Sequence, residues 1–222
     1  AAPLVKHKRC VALHERGKTV NSARITRSYA IGLGFGNIWL IGVYLVFAIL
    51  DMFNINTNSV VLLLSILACL ILGGGLLFLC VQFLRQGFSL PKTEGAGLSR
   101  SRRRIFFSLI LLEVIGWGIL DSILGLHNLS IWIVPVNLFI IGAHFIPLAF
   151  VFHVPAYLVM GILWLVAIVA SVLLIPSTLI IGNAHAWFTL PSLFCVAITW
   201  LTSLYLLTNV GKSLRRTAPV LV

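Results

Sequence analysis

Apolar residues fall in six long blocks, at about 29–50, 60–84, 105–126, 131–152, 155–175 and 186–208, separated by polar or basic stretches. Roughly 20 helical residues cross a hydrocarbon core of about 30 Å, so every block is long enough to span a bilayer. Backbone groups surrounded by lipid must be satisfied within the segment, which selects helices for blocks of this kind. The pattern predicts an all-α polytopic membrane protein: a six-transmembrane-helix bundle at 29–208 between a basic tail at 1–28 and a short tail at 209–222.

The connections are uneven. Asp51 to Ser59 reads as a polar linker, and 85–104 as the longest internal loop, basic and containing Pro91. Only His153 and Val154 separate the fourth block from the fifth, and Pro155 suits the first turn of a helix, so these two spans must fold directly back on each other. Gly32, Gly34 and Gly36 form a small-residue stripe in the first span that lets a neighbour approach closely. No strand precedes it, so it is not a nucleotide-binding loop. Gly73, Gly74 and Gly75 predict tight packing or a local break in the second span, and Pro147 does so in the fourth.

Composition and charge sharpen this picture. With 60% apolar and 9% charged residues and a mean hydropathy of +1.09, the chain is far more apolar than a soluble domain. Its 16 Lys and Arg all fall in the N-terminal tail, the 85–104 loop and the C-terminal tail, which six spans place on one side. The positive-inside rule assigns that side, with both termini, to the cytoplasm. The first 28 residues have no apolar core, the pattern of a topogenic segment on anionic headgroups and not of a secretory signal peptide. Arg100, Arg102, Arg103 and Arg104 extend that membrane-surface contact. A nucleic-acid role is excluded because the basic tail carries no aromatic or groove-reading platform. Cys10, Cys69, Cys80 and Cys195 have no CxxC or paired spacing and read as buried thiols, not as disulfides or metal ligands.

Candidate chemistry lies in the few polar residues at membrane depth, which are costly there and face a partner or a cavity. Counting from the basic ends at ~1.5 Å per residue puts Glu113, His144, Asn37 and Thr199 in one layer roughly 12 Å deep. A Glu beside a His shares a proton, which suits a proton relay, a clamp on a substrate amine, or acid/base work; it also suits a purely structural register lock. Glu113, Trp117 and Asp121 recur at i, i+4 and i+8 on one helical face, with Asp121 assigned to the outer interface. Trp132 and Trp187, at outer span ends, read as belt residues. No HExxH, no metal-ligand cluster and no GxSxG elbow is present, and no cofactor is assigned.

One internal similarity bears on architecture. Asn37-Ile-Trp-Leu-Ile-Gly42-Val-Tyr44 aligns without gaps to Asn137-Leu-Phe-Ile-Ile-Gly142-Ala-His144, in spans that run in opposite directions. Inverted repeats of three plus three helices build midplane sites in transporters, and Tyr44 stands where the other copy has His144. The segment Gly142-Ala-His144-Phe-Ile-Pro147, followed by Pro155-Ala-Tyr157, resembles a G-A-H-F-[LI]-P motif of an uncharacterised family of small multi-pass bacterial membrane proteins. The resemblance covers about 25 of 222 residues and implies a six-span protein of a bacterial cytoplasmic membrane. It assigns no activity and marks only His144 and Pro147; the basic tail and the Arg100 to Arg104 run are not part of it.

Three functions fit these observations. The first is a small-solute or proton-linked transporter whose path is lined by Glu113, His144, Asn37, Asn137, Tyr44 and Thr199. The second is a non-catalytic subunit of a larger membrane complex, docking partner proteins through its basic face. The third is an intramembrane enzyme acting on a lipid or quinone, with Glu113 and His144 as acid and base.

Overall fold

The computed structural model describes residues 27–56, 58–90 and 100–217, without the side chains at 100, 102, 103 and 213–217. Among the described residues six α-helices carry the fold: α1 (Arg27–Ile55), α2 (Ser59–Ser89), α3 (Arg100–Leu126), α4 (Ile133–Phe152), α5 (Pro155–Leu174) and α6 (Ala186–Thr217). A 3-10 turn at Ser130–Trp132 leads into α4, and a hairpin of β1 (Ile180–Ile181) and β2 (Ala184–His185) leads into α6. All six helices are long and apolar enough to cross a membrane, and large apolar side chains such as Trp39, Leu112 and Leu174 point outward. On a soluble protein such a surface would be an association hazard; against lipid tails it is the expected exterior.

The helices overrun the ends that hydrophobicity assigns. α1 takes in Asp51 to Ile55, which the sequence suggests as linker, because the Asp51 carboxylate is tucked beside Ser192 of α6. α2 begins at Ser59 under an Asn58 cap, whose side chain accepts from the Val60 and Val61 amides at 2.9 and 3.4 Å. It continues to Ser89 and so carries Arg85, while the run Arg100 to Arg104 opens α3 as helix, not loop. α6 extends to Thr217, through the start of the expected C-terminal tail. Arg27, Arg85, Arg104 and Lys212 all lie on one side of the bundle, the basic side; the opposite, far side has no Lys or Arg among the described residues. The tail at 1–26, Cys10 and the side chains of Arg100, Arg102 and Arg103 lie outside the described residues.

Chain reversals follow from local chemistry. α3 stops at Asn128, in the left-handed region at φ 57°, with Leu129 N–H donating to Leu124 and Asn128 N–H to Gly125, the paired bonds of a Schellman cap. α4 stops at His153, φ 54°, and the Val154 amide returns to the Ala149 carbonyl at 3.0 Å. Pro155 then opens α5, giving the direct fold-back that the short turn predicts.

The closest packing is within two antiparallel pairs, α1 with α2 and α4 with α5. A Cβ at Gly73 would lie 2.8 Å from Leu45, so α1 and α2 meet there, whereas Gly74 and Gly75 face open space and the helix does not break. A Cβ at Gly161 would lie 2.8 Å from the Gly142 carbonyl oxygen, so α4 and α5 touch backbone to side. In the first span only Gly34 of the glycine stripe is in tight contact, against Leu84. α6 packs on α1, α2 and α5, while α3 packs chiefly on α4 and has no fully buried side chain among its described residues. The third helix of each half is therefore placed differently.

Candidate functional site

The site is built where α3 meets α4. Glu113, Trp117 and Asp121 are the partly buried stripe of α3, flanked by exposed Leu112 and Val114. The facing stripe of α4 carries Asn137 and His144. His144 Nδ1 lies 2.9 Å from Glu113 Oε2, with the side chains only 10% and 16% exposed. Toward the far side, Asn137 Nδ2 donates to Asp121 Oδ1 at 3.0 Å and Oδ2 at 3.3 Å. Toward the basic side, Phe106 and Phe152 meet edge to face at 5.4 Å. These three rungs are seven and eight residues apart on each helix, the near-heptad spacing that keeps two antiparallel helices face to face. Asp121 is thus a hydrogen-bonded member of the seam and not only an interface marker.

Behind His144 the bundle is aromatic. Phe145 packs on Trp164 of α5 at 5.6 Å, and Trp164 meets Tyr44 of α1 edge to face at 5.2 Å. Tyr44 is close enough to interact electrostatically with Glu113 and with Cys195 of α6. Asp51 beside Ser192 sets the antiparallel register of α1 and α6, which seven residues further on brings Thr199 to the level of Tyr44. Thr199 is fully buried and its hydroxyl has no hydrogen-bond partner. One layer therefore holds Glu113, His144, Tyr44 and Thr199.

Asn37 is not in that layer. Seven residues separate it from Tyr44, about 10 Å at the helical rise, and it lies toward the basic side, where its neighbour Gly36 approaches the Tyr157 hydroxyl. Its amide donates to the Leu33 carbonyl at 2.8 Å, while its Oδ1 is buried without a partner. Asn137 sits on the other side of the layer, paired with Asp121. The two asparagine-to-aromatic segments thus diverge from the midplane in opposite directions. Pro147 lies inside α4 without ending it; it withholds an N–H from the Ala143 carbonyl, next to His144.

The far side is closed by a cap that the apolar blocks do not reveal. Gly182, at φ +65°, turns the β1–β2 hairpin over the Ile55 carbonyl, and the Asn183 amide donates to the Asn54 carbonyl at 2.7 Å. Trp187 donates to the Ile175 carbonyl at 2.6 Å and stacks edge to face on Trp132 at 4.9 Å, so this pair is cap packing and not a lipid belt. Gly182-Asn183 directly after the β-branched pair Ile180-Ile181 is a two-residue turn signal that would have found the hairpin.

Among the described residues no three His, Cys, Asp or Glu side chains gather as metal ligands; Cys80 and Cys195 are buried free thiols, whereas Cys69 of α2 is only half-buried. His127, His153 and His185 stay near helix ends. The chemistry available at the centre is that of one carboxyl and one imidazole within hydrogen-bond distance, beside a buried phenol. No protein-family model, no characterised protein and no solved structure matches the chain.

Proposed function

We propose that this protein is a proton-linked carrier of a small solute, with the Glu113–His144 pair as its proton-binding centre. The observation that supports it is the 2.9 Å contact of these two side chains, 10% and 16% exposed, between helices long and apolar enough to cross a membrane. Ionisable groups there are expensive and are kept where an ion or proton must pass. Loss or gain of one proton changes the charge of the pair, and Tyr44 and Thr199 at the same level offer hydroxyls to a solute. Asn37 and Asn137 line the approaches from the two sides. The basic side faces the cytoplasm, its arginines resting on anionic headgroups, and the membrane is the bacterial cytoplasmic one that the G-A-H-F-[LI]-P resemblance implies.

The test is flux. Proteoliposomes loaded with a pH-sensitive dye are challenged with amines, amino acids and carboxylates, and solute-induced proton movement is recorded. Glu113→Gln and His144→Ala abolish it under this proposal; unchanged flux in both variants refutes it.

A second reading, membership of a larger membrane complex, is favoured by the placement of α3, which packs chiefly on α4 and leaves its other faces outward. Reversing the charge of Arg100, Arg102, Arg103 and Arg104 would then release the chain from a larger particle in native mass spectra. A chain that runs alone before and after the change refutes it.

A further inference from the structure

The α3–α4 seam is polar on one side of the central pair and apolar on the other. From Glu113 and His144 toward the far side come Trp117 and then Asp121 with Asn137. Asp121 is only partly buried and lies five residues, roughly 7.5 Å of helix, from the end of α3 at Leu126. Toward the basic side come Leu109 and Leu148, one turn from Glu113 and His144, and then the Phe106–Phe152 contact. Two further atoms separate the halves. Trp117 Nε1 and Asn137 Oδ1 are both buried with no hydrogen-bond partner, and both belong to the polar half. One is a donor and the other an acceptor, the two kinds of group that a bridging water satisfies. A buried donor or acceptor left unmet is costly in hydrocarbon, so a hydrated polar half is the lower-energy state.

We infer that the seam between α3 and α4 is a one-sided path for water and protons. Protons reach Glu113 and His144 from the far side through Asp121, Asn137 and Trp117, and Leu109, Leu148, Phe106 and Phe152 shut the pair off from the basic side. The inference rests on the proton-linked reading of the same pair. In each transfer a far-side hydronium gives its proton to the Asp121 carboxylate. Asp121 passes it to bridging water and returns to the anion, and the water delivers it to Glu113. No other reactant is consumed. The aromatic contact at Phe106 and Phe152 is the barrier that must open for release to the basic side.

Accessibility of single cysteines to a membrane-impermeant methanethiosulfonate tests the path. Trp117→Cys and Leu109→Cys are made in a chain whose Cys10 and Cys69 are serine, and the cysteine-reduced parent, with Cys80 and Cys195 buried, gives the baseline. Asn183→Cys marks the far side and Lys212→Cys the basic side, both positions being exposed. Trp117→Cys is expected to react from the far side at least an order of magnitude faster than Leu109→Cys, which stays unreactive from the basic side until Phe106→Ala is added. If Trp117→Cys is not recovered as monodisperse protein, Ile141→Cys on the facing helix replaces it.

Equal rates at the two positions, or reaction of Leu109→Cys from the basic side with Phe106 intact, overturns the inference. Labelling requires no transport, so the two proposals fail separately. A chain that labels as stated but shows no Glu113-dependent flux keeps the path and loses the carrier. One with Glu113-dependent flux and reversed labelling keeps the carrier and loses the path.

Discussion

Removing either member of the central pair should cost stability, and the two costs should not add. At an effective dielectric of about 20, opposite unit charges 2.9 Å apart attract by about 6 kcal/mol. Most of that is offset by the desolvation of two groups that are only 10% and 16% exposed, which leaves a coupling energy of about 1–3 kcal/mol. The single variants are also unequal. His144→Ala leaves the buried Glu113 carboxyl without its one partner, whereas Glu113→Gln keeps a side-chain oxygen that can still accept from the imidazole N–H. The expected order of destabilisation is His144→Ala, then the double variant, then Glu113→Gln. Reversible unfolding of the four proteins, from mixed micelles into a denaturing detergent at one fixed pH, supplies the cycle. Additive single-variant costs, or Glu113→Gln as the most damaging change, would refute the ion pair as described.

Other expectations follow from the packing. Gly161→Val should destabilise by about 1–3 kcal/mol in the same unfolding assay, since a Cβ there already meets the Gly142 carbonyl, whereas Gly75→Ala, facing open space, should be nearly silent. Gly182→Ala places a Cβ against the Asn54 and Ile55 carbonyls at a positive φ and should loosen the far-side cap, read as faster proteolysis of the 176–185 connection. Asp121→Ala should lower stability by about 1–2 kcal/mol through the lost Asn137 bonds, with Asp121→Asn milder because an amide oxygen still accepts.

The sequence is informative where hydrophobicity decides. Six apolar blocks correspond to six helices, and the depths of Glu113 and His144, counted on antiparallel spans, bring together two residues that do touch. Helix ends were poorly legible because a helix does not stop where lipid stops. Asp51 stays helical by leaning on Ser192, and Arg100 to Arg104 remain in α3 because water and headgroups tolerate an exposed basic turn. That same uncertainty misplaces Asn37: α1, α3 and α6 overrun the apolar blocks by unequal lengths, so equal counts from their ends do not give equal depths. The Asp121–Asn137 rung was recoverable. Eight residues from Glu113 and seven back from His144 reach both members, but only once the central contact fixes the register. Tyr44 behind Trp164 follows from helix rotation, which an all-round apolar helix does not encode.

The central claim is that Glu113 and His144 exchange a proton with water, and infrared difference spectroscopy of the protein in lipid tests it most directly. Wild-type spectra recorded at two pH values should show a protonated-carboxyl band that Glu113→Gln removes and His144→Ala shifts. Wild-type spectra indistinguishable from those of Glu113→Gln at every pH at which the bundle stays folded would contradict the account.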